Sequence, residues 1–149
     1  MTAVREPIYA ALFDLIVSAP GIAGQFVTTG RLLRHHVDLA QEQMPALFII
    51  ETGEEWTRPG RGIPPVRTLQ SEVVMYAWSS GPTDTLPATL CNAMLDALDD
   101  ILTNPANPEN VITLNDQVYH VYIEGAVKIY EGLLQNVSIV AVPIRIMIP

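Results

Sequence analysis

The sequence predicts an α+β domain: a mainly antiparallel sheet with two helices packed on one face and a long protruding hairpin loop. Three observations lead there. Two segments carry apolar residues at the helical period, each closed by proline or glycine. The other apolar runs have the length and alternation of strands. The order is helix, strands, helix, strands, without the regular alternation that builds a parallel sheet. No repeat or linker divides the 149 residues, so one domain covers 1–149.

The first helix is expected over 5–18, where Ile8, Leu12, Leu15 and Ile16 share one face. Pro7 is tolerable because it lies in the first turn, and Pro20–Gly21 ends the element. Residues 26–33 form a weaker strand candidate, followed by a polar, irregular stretch, "RHHVDLAQEQ". A strand follows over 46–51 or a little beyond, and its unbroken Leu47-Phe48-Ile49-Ile50 centre suggests cover on both faces. The next strand, 66–78, puts Leu69, Ser71, Val73, Met75 and Ala77 on one side. Gln70, Glu72, Val74, Tyr76 and Trp78 take the other. "SSGPTD" then reads as a loop.

The second helix is expected over 86–103, with Thr85 or Asp84 as cap and Pro87 in the first turn. Leu90, Met94, Leu98 and Ile101 form its stripe, widened by Cys91, Leu95 and Leu102. Asp96, Asp99 and Asp100 lie on the wet side, where they oppose the helix dipole and hint at a partner. "NPANPEN" breaks the chain. Residues 117–130 then pair with 136–148 through a turn near "EGLLQN". The last strand is almost wholly apolar, although Pro143 removes one ladder donor. Such a strand is either central in the sheet or covered by another chain.

Composition narrows the function. Hydrophobic residues are 49% and charged residues 16%, which argues against disorder and for apolar surface covered by other subunits. A net charge of −8 is the wrong sign for a protein that reads DNA sequence. Cys91 is alone, which rules out an internal disulfide, and it reads as a small buried hydrophobe. Asp14 interrupts the N-terminal apolar stretch, which makes it a poor signal peptide. No apolar run has the roughly 20 residues that cross a bilayer, so a soluble, reducing compartment is expected.

The chain carries no residue pattern that points to catalysis. His35–His36 has no acid or cysteine at ligand spacing, and His120 is the only other histidine. Glu54–Glu55 and Asp99–Asp100 are paired carboxylates on solvated surfaces rather than in a converging pocket. "TTGR" and "PGRGIPP" match neither a phosphate loop nor a dinucleotide fingerprint. No catalytic, cofactor-binding or metal-binding residue is expected.

What remains is "EEWTRPGRGIPPVRTLQ", residues 54–70, which holds three of the eight Lys and Arg residues. It could hold phosphate, be an inert loop, or be an arm reaching a neighbouring molecule. Prolines stiffen an arm and lower the entropy lost on docking, and Trp56 supplies an anchor. Glu51, Glu54 and Glu55 would repel phosphate, which favours a protein partner. The candidate interface is therefore Trp56, Arg58, Arg61 and Arg67 with Glu54 and Glu55.

Taken together, "VREPIYAALFDLI", "MPALFIIETGEEW", "RTLQSEVVMYAW", "LPATLCNAMLDALDDIL" and the terminal pair ending "VSIVAVPIRIMIP" form an ordered pattern. It resembles the tail terminator (tail completion) proteins of long-tailed bacteriophages over nearly the whole chain. The resemblance rests on order and character, chiefly the strand beginning at Pro45 with acids just after it, and the helix between two strand blocks. It implies no catalytic residue and no cofactor. It implies a structural virion protein of the tail or neck, assembled in the host cytoplasm as a hexameric ring of identical subunits. The ring would cap the tail tube, stop its polymerisation and join the head. Its partners would be the tail tube protein, a head-completion or connector protein, and genomic DNA sliding through without sequence-specific binding; no membrane is involved. Alternatives are another neck or tube component, such as a head-completion or tail-tube-like subunit, and a small-ligand-binding α+β domain.

Overall fold

A computed structural model of the chain describes residues 4–78, 87–103, 111–134 and 136–149. The elements are α1 (Arg5–Val17), β1 (Thr28–Gly30), β2 (Ala46–Thr57), β3 (Val66–Trp78), α2 (Pro87–Leu102), β4 (His120–Ile123), β5 (Lys128–Leu134) and β6 (Val137–Ile148). They form one six-stranded sheet in the order β1-β2-β3-β6-β4, with β5 also paired to β6. All pairings are antiparallel except β1 with β2. This is the expected α+β class.

Both helices pack on one face of the sheet. There Ile8, Leu12 and Ile16 of α1 and Cys91, Leu98 and Leu102 of α2 meet the inward residues of β2, β3 and β6. The alternation along β3 falls as its sequence suggests: Leu69, Val73, Met75 and Ala77 are buried against the helices. Ser71 sits in the same row, and its hydroxyl donates to the Ile50 carbonyl at 2.8 Å. On the opposite face, among the described residues, Leu39 and Met44 from the β1–β2 connection close over Phe48, Val74 and Tyr76 at one end. The apolar β6 lies centrally, between β3 and the β4/β5 edge, which resolves how it is buried.

Several boundaries differ from expectation. In α1, Tyr9 is buried and Leu15 only half-buried. The stripe of α2 is rotated, because Cys91, Met94, Leu98 and Leu102 are buried while Leu90, Leu95 and Ile101 are half-buried. The 26–33 candidate shrinks to β1, and the stretch after it contains two 3₁₀ turns, His36–Asp38 and Gln41–Gln43. The 79–84 loop, the Asp84 or Thr85 cap and the 104–110 break lie outside the described residues.

Two larger differences matter. β2 does not stop near Glu51: a bulge between Glu51 and Gly53 absorbs one residue, and pairing with β3 resumes through Thr57↔Val66. Glu54, Glu55 and Trp56 therefore stand on a strand, and only residues 58–65 lie beyond the ladder. The long strand expected over 117–130 is broken into β4 and β5 opposite Pro143. The ladder with β3 runs through Glu72↔Pro143 unbroken, so the missing donor is felt on the outer edge. Gly125 lies in that gap at φ +118, and a Cβ there would meet Pro143 Cγ at 3.2 Å.

Candidate functional site

The distal half of β2 faces solvent from Glu51 onward, because the continuous apolar run ends at Ile50. The charged residues there are tied into the domain. Glu54 accepts two hydrogen bonds from the Arg5 guanidinium, at 2.6 and 2.8 Å, which pins the start of α1 to β2. Arg31 similarly bridges Glu6 at 2.5 Å and Glu51 at 3.1 Å. On the other face Arg145 reaches Glu55 at 3.5 Å.

These contacts shift the titrating groups in the direction the charges demand. The bond from Arg5 holds the Glu54 carboxyl below its ordinary range, and Arg31 does the same to Glu6. The buried Tyr9 phenol beside them is pushed up to about 12, first by burial and then by the charges of Glu51 and Glu54.

The remaining candidates divide. Trp56 is 54% exposed, its indole N–H donates to Glu54 at 3.3 Å, and the Arg67 guanidinium stacks 5.4 Å from its ring centroid. Arg67 also donates to the Pro149 carbonyl. Of the six residues singled out from sequence, Glu54, Glu55, Trp56 and Arg67 are thus engaged within the chain. Arg58 and Arg61 make no hydrogen bond or ion pair with described residues, and both are exposed on the 58–65 tip. Beside them Ile63 is 51% exposed, its N–H donating to the Gly60 carbonyl at 3.3 Å. The tip therefore presents two uncommitted guanidinium groups and one exposed apolar side chain.

A second feature has no counterpart in any local sequence pattern. The C-terminal ends of α1 and α2 frame a cleft of about 490 Å³ lined by Leu15, Ser18, Ala19, Pro20, Asp100 and Ile101. A neighbouring cleft shares Leu15 and Ser18 and adds Asp14. The chain turns sharply out of α1 here: Gly21 takes φ +87, and a Cβ would come within 3.2 Å of Ala97 Cβ. No local signal reveals this cleft, because its two walls are some 80 residues apart in the chain.

The histidines have structural partners. His35 Nδ1 accepts the Val37 N–H at 3.3 Å, His36 lies edge-on to Tyr76, and His120 Nδ1 accepts the Ile112 N–H at 3.2 Å. Among the described residues no three His, Cys, Asp or Glu side chains gather as a metal site. No described helix is long and apolar enough to cross a membrane.

No family model and no curated protein matches the chain. Its fold is similar to that of a protein in a solved structure of the virion of a native gene transfer agent particle. The TM-score is 0.53 at 9% identity, over 98% of this chain and 94% of the other. At that identity the likeness is one of fold.

Proposed function

We propose that this chain is a structural subunit of a phage-like virion, and within it the tail terminator. Identical copies form a ring, six in number by the family pattern, that caps the tail tube and ends its growth. The ring then offers the surface on which a head-completion or connector protein docks. The observation that supports this most is the breadth of the fold likeness, 98% of this chain and 94% of a virion protein. A shared small motif would not span both chains end to end. The uncommitted arginine tip and the charge of −8 fit the same reading. An acidic ring lets DNA pass without adhering, and its work is assembly rather than catalysis.

Electron microscopy of the purified protein with tail tubes tests the proposal. Rings alone, and tubes that stop growing with a cap at one end, are the expected result. A variant lacking residues 58–64, closed by a short glycine turn, should stay folded and lose ring assembly or head attachment. If the wild-type protein instead adds along the tube, it is a tube subunit. If it stays monomeric and leaves tube length unchanged, the proposal fails.

A further inference from the structure

Five of the eight described cations are committed within the domain. Arg5, Arg31 and Arg145 pair with carboxylates, and Arg34 and Arg67 donate to the carbonyls of Asp38 and Pro149. Of the other three, Lys128 stands alone on β5, whereas Arg58 and Arg61 are two uncommitted charges on one short tip that also carries the exposed Ile63. Unpaired carboxylates cluster elsewhere. Asp96 and Asp100 are one turn apart on the exposed side of α2, and Asp14 borders the adjoining cleft. Asp100 itself lines the cleft together with the half-buried Leu15 and Ile101, and Asp96 stands one turn before it. Two helix C-termini point their negative dipole ends into the same region, which further favours a cation.

The tip cannot reach its own cleft. Arg5 holds the start of α1 to Glu54, next to the tip, and α1 runs away from there for 13 residues, or about 20 Å. The chain leaving α1 arrives at the opposite end of β2, where the Val27 N–H donates to the Pro45 carbonyl. Basic tip and acidic cleft therefore sit at opposite ends of the domain.

We propose that the tip of one copy seats in the α1/α2 cleft of the next. Ile63 packs against Leu15 and Ile101, while Arg58 and Arg61 face Asp96 and Asp100. The contact is head-to-tail, which closes into a ring when the rotation between copies allows it. This rests on the reading that the chain assembles with itself, and it names the two surfaces that meet.

Charge reversal with mixing tests it. R58E/R61E and D96R/D100R each place like charges across the contact, and each alone should self-associate about tenfold more weakly or worse in sedimentation velocity. An equimolar mixture should recover wild-type assembly, because every contact in an alternating ring is again complementary. Recovery also shows that both variants are folded. I63D should weaken assembly in any mixture, and added salt should weaken the wild type. Variants that assemble as wild type, or folded variants whose mixture stays apart, overturn the proposal, as does a wild type that is monomeric throughout. Reversed variants that assemble and cap tubes normally would remove this contact while leaving the terminator reading intact. Rescue by mixing, without any effect on tubes, would do the opposite.

Discussion

Replacing Leu98 with alanine probes the contact that seats α2 on the sheet. Leu98 is fully buried in the main core cluster, one turn from Met94 and Leu102. The change removes about three methylene-sized groups, worth about 0.8 kcal/mol each, or ~2.4 kcal/mol of transfer free energy. A residual cavity of about 60 Å³ adds ~1.4 kcal/mol at ~24 cal/mol per Å³. The expected loss is therefore about 4 kcal/mol, and at roughly 3 °C per kcal/mol for a domain of this size the melting temperature falls by about 12 °C. Urea titrations at one low protein concentration, so that assembly does not contribute, should show a lower midpoint with unchanged slope. Asp96→Ala, on the exposed side, should stay within about 0.5 kcal/mol. The rotated stripe adds a finer test: Leu102→Ala should cost more than Ile101→Ala, since only Leu102 is buried. Equal losses for Leu98→Ala and Asp96→Ala would refute the face assignment, and Ile101→Ala costing more than Leu102→Ala would refute the rotation.

Gly125→Ala should destabilise by about 1 to 3 kcal/mol, from a disfavoured φ combined with contact on Pro143. Gly24→Ala, also at positive φ but with nothing near its Cβ, should cost less, and equal thermal shifts would dismiss the Pro143 contact. Tyr9 supplies a pH dependence. Its folded value of about 12 lies above the ordinary 10, so the fold favours the neutral phenol. That contribution is intact below about pH 10 and is lost as pH rises towards 12. Tyr9→Phe should flatten the stability profile across that window and remove one late-ionising tyrosine from the absorbance titration, leaving Tyr76, whose phenol burial also pushes up.

The sequence by itself determined what is set within a few residues. The alternation of β3 was legible because successive side chains in a strand must point to opposite faces, whatever the strand packs against. The ends of α1 were legible because proline fixes φ in a first turn and glycine readily takes the positive φ that turns the chain out of a helix. The uncommitted Arg58 and Arg61 were visible as arginines among prolines that could not pair as strand. Only the tertiary structure decided that Arg67, Glu54 and Glu55 are engaged, since Arg5 and Glu54 are 49 positions apart and Arg145 and Glu55 are 90. The continuation of β2 past Glu51 required Leu69, Thr68 and Arg67 to stand opposite it, and a row of glutamates carries no apolar period to announce that partner. Pro143 announced a missing donor, but which edge of β6 lost it depends on registers with strands on both sides. The acidic cleft is the extreme case. Its walls meet only because the two helices choose the same face of the sheet, and that choice is made by burial summed over the whole core rather than by any one segment.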